Sequence, residues 1–148
     1  MHNLHFSIVI NAPNDKVWKT MLDKKTYEIW TNEFAPGSTY RGDWSKGSKM
    51  LFIGPGENGE MGMVSRIKEN KLYDFISIEH IGVVNEGKED TASKDVKNWA
   101  GALENYTFKE KDSKTELIVD MDIVEEYKEM FESSWPKALN KLKEIAEK

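Results

Sequence analysis

A histidine and a glutamate on two strand-like stretches are the residues best suited to chemistry. Glu104 has the same strand parity as Tyr106 and Phe108, and His80 has the same parity as Ile78. If these positions face the interior, an imidazole and a carboxylate approach one apolar pocket, where they would act as general acid and base. In the alternative interpretation, Glu104 lies at the rim or pairs with a structural partner, and His80 satisfies a buried backbone group.

Other patterns of catalysis or metal binding do not occur. The chain has no cysteine, which excludes disulfides and thiolate metal sites. His2 and His5 would lie on opposite faces of a strand, so we expect no metal site, and no feature calls for a cofactor. The glycine-rich segment 54–62 lacks the Lys-Ser/Thr ending of a phosphate-binding loop, and no Gly-x-Ser-x-Gly element suggests a serine hydrolase.

Aromatic residues make up 11% of the chain. Because each ring buries a large area, they indicate either a generous core or a cavity lined by rings, and both interpretations stay open. Methionines at alternating positions of a predicted hairpin would suit a pocket that adapts to its ligand. The residues predicted to line this cavity are Trp30, Phe34, Trp44, Met50, Phe52, Met61, Met63, Ile78, His80, Trp99, Glu104, Tyr106, Phe108, Met121, Phe131 and Trp135.

Length and charge narrow the classes of function. The 148 residues suit one domain, residues 1–148. Acidic residues outnumber basic ones by 26 to 21, which gives a formal charge of −5 and argues against nucleic acid as a partner. No apolar stretch reaches the roughly 18–20 residues of a membrane helix, and the N-terminus does not have the pattern of a signal peptide. We therefore expect a cytoplasmic protein without a membrane partner.

The periodicity predicts an α+β domain with the order strand, two short helices, six strands and a long helix. Alternation is clear at the first strand, near residues 4–10, and in runs near 38–44, 47–54, 60–69, 72–81, 99–110 and 115–124. Asn14 is a plausible helix cap, residues 82–97 resemble a long polar loop, and Pro136 predicts a kink or a new start in the last helix. One such helix covers seven strands only if the sheet is curved around it.

Several stretches, in this order, resemble the START-like superfamily, also called SRPBCC or Bet v 1-like, which has the helix-grip fold. The branch they resemble is the C-terminal domain of the heat-shock-90 ATPase activator. The resemblance spans nearly the whole chain and implies a curved antiparallel sheet wrapped around a long C-terminal helix. The matching stretches are Ile10-Asn11-Ala12-Pro13 with Val17-Trp18, Trp30-Thr31 with Phe34 and Pro36-Gly37-Ser38, Gly42-Asp43-Trp44 with Gly47-Ser48, Glu79-His80-Ile81-Gly82, Trp99 with Glu104-Asn105-Tyr106-Thr107-Phe108, Thr115 with Leu117, and Trp135-Pro136-Lys137-Ala138-Leu139 with Leu142-Lys143.

The superfamily uses one scaffold for carriers, receptors, enzymes and chaperone cofactors, so three functions are open. The leading one is binding of an apolar or amphipathic small molecule between the C-terminal helix and the sheet, in a carrier, sensor or sequestering role. The second is a cyclase, dehydratase or hydrolase that uses Glu104 and His80. The third is a chaperone-related interaction module of the stress response with a protein partner. The sequence leaves the ligand and the oligomeric state open.

Overall fold

The computed structural model describes residues 1–148 as one antiparallel sheet and four α-helices. The helices are α1 (Asn14–Leu22), α2 (Lys24–Trp30), α3 (Lys94–Lys97) and α4 (Glu125–Ala146), with a 3₁₀ turn at Thr31–Glu33. The strands are β1 (His2–Ile10), β2 (Thr39–Arg41), β3 (Lys49–Gly56), β4 (Gly59–Lys71), β5 (Phe75–Asn85), β6 (Lys88–Asp90), β7 (Ala102–Lys111) and β8 (Lys114–Ile123).

The sheet has the order β1-β8-β7-β5-β4-β3-β2, and β6 pairs with β5 outside this path. Every pairing is antiparallel, because short turns connect most neighbouring strands. The chain's two ends meet, since β1 lies at one edge of the sheet and packs against α4. The predicted helix-grip fold is confirmed: a curved antiparallel sheet holds the long C-terminal helix. None of the helices combines the length and apolar character that crossing a bilayer demands.

Three local predictions differ from the structure. The segment 82–97, predicted as a loop, continues β5 to Asn85 and then forms β6 and α3. Asn14 is the first residue of α1 and not its cap; its side-chain amide donates to the carbonyls of Tyr73 and Phe108, and so ties α1 to the sheet. Of the two outcomes predicted for Pro136, the new helix start does not occur, because α4 is continuous through this exposed proline.

The concave face of the sheet has two unlike ends. At what we call the closed end, Ile10, Val17, Leu117 and Leu142 are fully buried between the sheet, α1 and the second half of α4. At what we call the open end, Phe34, Phe52 and Glu104 are only half-buried, and so is Phe131 on the first half of α4. The same two-residue alternation along β7 and β8 supplies both ends, so the difference comes from what covers them.

Candidate functional site

The open end contains a chain of hydrogen bonds that joins three strands. Ser65 on β4 contacts His80 on β5, with 2.7 Å between the serine Oγ and the histidine Nδ1. The Nε2 atom of His80 lies 3.0 Å from Oε1 of Glu104 on β7, and the hydroxyl of Tyr106 donates to Oε2 of the same carboxylate. We call Ser65, His80, Glu104 and Tyr106 the polar chain.

Strand register creates the polar chain. Ile78 lies opposite Glu104 and His80 opposite Ala102, so His80 and Glu104 are diagonal neighbours on the concave face. Ser65 lies directly opposite His80 on the other side. Just after His80, the register of β4 and β5 shifts and Ile81 is left over as a bulge, so that Val83 becomes the next inward residue.

Every side chain of the polar chain has a hydrogen-bond partner within it. The Nε2–H of His80 donates to the Glu104 carboxylate, whose oxygens accept, and the Ser65 hydroxyl can either donate to Nδ1 of His80 or accept from it. Glu104 then accepts two of the roughly four hydrogen bonds that a carboxylate can take. Its side chain is 19% exposed and that of His80 is 12% exposed, whereas Ser65 is fully buried. Of the groups in the chain, the carboxylate is therefore the one with both exposure and free acceptor capacity.

Burial and the neighbouring Glu104 carboxylate raise the pKa of two tyrosines. Burial, followed by the Glu104 charge and the hydrogen bond to it, raises the pKa of Tyr106 well above its ordinary value. Burial first, and then the charges of Glu104 and Tyr40, raise the pKa of Tyr27. Both phenols thus remain protonated and act as donors at neutral pH.

Aromatic rings pack against the two residues that hold this carboxylate. The Phe52 ring centroid lies 6.4 Å from that of His80, and the Trp135 centroid lies 6.1 Å from that of Tyr106. Phe34 packs edge-on against Trp135 at 5.0 Å and against Phe131 at 6.1 Å. The open end is a polar chain set in an aromatic cluster from both the sheet and α4.

The structure brings together most of the residues predicted to line a cavity, but not all of them. Those near the polar chain are Trp30, Phe34, Phe52, Ile78, Met121, Phe131 and Trp135, with His80, Glu104 and Tyr106 themselves. Met50 is fully buried opposite Ser65, and Phe108 is buried against Trp18 at the closed end. Met61 is 54% exposed on the β3–β4 hairpin, and Met63 and Trp99 are half-buried outside the main core cluster.

Trp44 belongs to a different place. It is buried beside Tyr40, with 5.2 Å between ring centroids, and has a left-handed backbone φ of 66°. It lines an open groove of about 380 Å³ together with Trp18, Leu72 and Tyr73. A shallower depression of about 210 Å³ lies between β1 and α4, and neither of these two depressions includes His80 or Glu104.

Sequence reasoning identified His80 and Glu104 but missed Ser65 and Tyr27. Ser65 has the same parity as Met63 and Ile67, and a serine among apolar inward positions was the available signal. Tyr27 lies three residues before Trp30 on α2, a spacing that places both rings on one helix face. In the structure their centroids are 5.5 Å apart.

Three solved structures illustrate the likeness of this fold. The solution structure of the Aha1 dimer from Colwellia psychrerythraea has a TM-score of 0.72 and 15% identity, and the match covers 99% of this chain and 97% of that one. The protein ChR145 from Cytophaga hutchinsonii has a TM-score of 0.71 and 19% identity, with 98% and 93% covered. CalU16 from Micromonospora echinospora has a TM-score of 0.66 and 18% identity, with 97% and 75% covered. At these identities the likeness shows the fold alone.

The sequence comparisons are more specific. No curated protein matches the chain. Residues 11–147 match the family model described as "Activator of Hsp90 ATPase homolog 1-like protein". This match runs from the end of β1 to the last turn of α4, and so includes the polar chain and the aromatic cluster around it. The chain therefore belongs to the family of activator of Hsp90 ATPase homolog 1-like proteins.

Proposed function

We propose that the protein binds a small amphipathic molecule at the open end, with the polar group of the molecule hydrogen-bonded to Glu104. One observation carries this proposal: a partly exposed carboxylate is held by His80 and Tyr106 inside a cluster of aromatic rings. Small-molecule sites are mostly apolar with a few convergent polar groups, which is the composition of this end of the sheet.

The half-buried rings give such a molecule its apolar contacts. Phe34, Phe52 and Phe131 are each in contact with the core cluster yet retain exposed area. A ligand that covers them removes apolar surface from water, which stabilises the complex by roughly 25 cal/mol for each Å² buried. Rotation of these rings at the rim would admit the ligand beside Glu104, while the fully buried closed end holds the fold.

Native mass spectrometry tests this proposal. The protein would be purified gently from its own host and its native mass compared with its denatured mass. We expect a discrete additional mass that is lost on denaturation. A parallel titration with the neutral dye N-phenyl-1-naphthylamine should give saturable fluorescence enhancement that Phe131→Ala or Phe52→Ala changes. A clean apo mass together with no saturable dye binding would contradict the proposal.

The hydrogen bond between His80 and Glu104 supports a second candidate, an acid–base enzyme of the cyclase, dehydratase or hydrolase kind. A carboxylate and an imidazole 3.0 Å apart can exchange a proton, and the carboxylate is open to a substrate. Ser65 is fully buried, so a substrate cannot reach its hydroxyl and Ser65 is not a candidate nucleophile. If any turnover is found, Glu104→Gln should abolish it; turnover that survives this change excludes the acid–base role.

The family itself supports the third candidate, a chaperone-related interaction module. Three exposed apolar side chains on α2 and α4 would be its contact points: Ile29, Tyr127 and Met130. Exposed apolar groups of this kind are common at protein interfaces. The test is whether the protein changes the ATPase rate of the heat-shock-90 chaperone from its own host, and whether Met130→Glu removes that change.

A further inference from the structure

The charge of the open end determines which ligands suit it. The only basic side chain paired with Glu104 is that of His80, at 3.0 Å, and no lysine or arginine pairs with it. His80 and Tyr106 hydrogen-bond to the carboxylate, and the pKa of Tyr27 on α2 is raised in part by its charge. Behind them, Ser65 contacts His80 and Trp135 on α4 packs against Tyr106. Among them, only His80 can carry a positive charge.

His80 can neutralise the negative charge of Glu104 only when both nitrogens of its ring carry a proton. When Ser65 donates to Nδ1, the imidazole carries only its Nε2–H and does not compensate the charge of the carboxylate. The raised pKa values of Tyr106 and Tyr27 keep the phenols uncharged, so they orient the carboxylate without neutralising it. An anionic ligand would bring a second negative charge next to Glu104 in a partly desolvated site, which is unfavourable. A cationic ligand would complete the pair.

The rings around the carboxylate favour the same charge. Tyr27 lies 6.3 Å from Phe52 between centroids, and Phe34 and Trp135 lie on the side of α4. Aromatic faces attract a desolvated cation through the negative charge density of the ring face. A hydrogen bond from a charged donor, such as an ammonium group, to a carboxylate is roughly twice as strong as a hydrogen bond between two neutral groups.

We propose that the open end selects an organic cation, an ammonium group on an apolar or aromatic body, over a neutral or anionic amphiphile of the same size. This inference rests on the proposed function, since it names the class of ligand for that site. The ammonium group lies against Glu104 and the rings, and the apolar body covers Phe34, Phe52 and Phe131. The site therefore disfavours fatty acids, because their carboxylate would face Glu104.

The test compares three probes with the same ten-carbon chain. Decyltrimethylammonium, decanol and decanoate would each compete with N-phenyl-1-naphthylamine below their critical micelle concentrations, at neutral pH and physiological salt. We expect the cation to bind about tenfold more tightly than decanol, equivalent to about 1.4 kcal/mol, and decanoate to bind more weakly than both. The Glu104→Gln variant should remove this order by weakening the cation and strengthening decanoate.

A matched control separates the site from the overall charge of the protein. Glu79 is on β5 next to His80, but its side chain pairs with Arg66 outside the polar chain. Glu79→Gln removes the same unit of charge as Glu104→Gln, so it should leave the order of the three probes unchanged. If both variants lower the affinity for the cation equally, the attraction is only that of the net charge of −5 and the inference is wrong.

The possible outcomes separate a failure of this inference from a failure of the proposed function. Decanol binding without any preference for the cation, or tighter binding of decanoate, would overturn the inference and leave the proposed function in place. Failure of all three probes to displace the dye would overturn both. If Glu104→Gln does not fold, as judged by circular dichroism, the order of the three probes on the unaltered protein decides the question.

Discussion

The two ends of the concave face are built from the same strands, yet one is fully buried and the other is only half-buried. At the closed end, Leu117 on β8 and Leu142 on α4 are fully buried. At the open end, Glu104 brings a charge into an aromatic cluster that retains exposed area. It lies on β7, four residues before Phe108, the partner of Leu117. A core that is completely filled has no room for a ligand, so we expect stability to depend mainly on the closed end and the proposed binding on the open end.

The largest effect should come from truncating the closed end. Leu142→Ala leaves a cavity in a fully buried site, so we expect the free energy of unfolding to fall by about 2–5 kcal/mol. Phe131→Ala should cost less, although it removes more atoms, because the ring is half-buried and its site can fill with water. Urea unfolding of both variants measures this. Equal losses would mean that the open end is packed as tightly as the closed one, which would break the comparison.

The second prediction compares two buried hydroxyls. Thr115 at the closed end lies 2.7 Å from the carbonyl oxygen of Ala12 and 2.8 Å from Oδ1 of Asn14. Thr115→Val keeps the shape but leaves buried acceptors unpaired, which should cost about 1–3 kcal/mol. Dye affinity measured on the folded protein should be unchanged by it.

Ser65→Ala is the counterpart at the open end, because it removes the hydroxyl that is hydrogen-bonded to His80. We expect it to alter the dye affinity or the order of the three probes. If Thr115→Val changes binding and Ser65→Ala does not, the assignment of binding to the open end is incorrect.

The third prediction uses pH to probe the open end. The pKa of Tyr106 is raised in the folded state, so its contribution to stability is complete below the unfolded pKa near 10 and is lost as the pH rises above it. Between about pH 10 and the folded pKa, the loss is about 1.4 kcal/mol for each pH unit. Tyr106→Phe should reduce the slope of stability against pH by this amount above pH 10. The measurement is urea unfolding from pH 8 to 11.

Tyr127 provides the control for that experiment. It lies exposed on α4, so Tyr127→Phe should leave most of the slope in place. Identical slopes for the unaltered protein and Tyr106→Phe would show that the phenol is not held in the environment described here.

The smallest effect should come from the ion pair outside the polar chain. Glu79 and Arg66 are 2.6 Å apart, but the arginine side chain is largely exposed. Glu79→Gln is therefore expected to cost only about 0.2–1 kcal/mol, and less at high salt. Thermal unfolding at low and high salt measures this. A cost as large as that of Thr115→Val would show that this pair stabilises the sheet more than its exposure indicates.

Local patterns in the sequence predicted much of the architecture. Alternation along β7 and β8 correctly assigned Tyr106 and Val119 to the inner face, and the parity of His80 and Glu104 placed both on that face. The long amphipathic stretch predicted α4, because its apolar residues recur at helical spacing. The segment 82–97 was mispredicted, since a short strand such as β6 is stabilised by its partner β5 and not by its own composition.

The sequence by itself thus determined which residues alternate, which are helical and which face inward, because these are properties of neighbours along the chain. Only the tertiary structure decided that His80 meets Glu104, that Ser65 completes the polar chain, and that Trp135 joins the site while Trp99 stays apart. Those contacts depend on strand register, on the bulge after His80 and on the position of α4. Each is set by contacts between residues far apart in sequence, and local periodicity does not encode them.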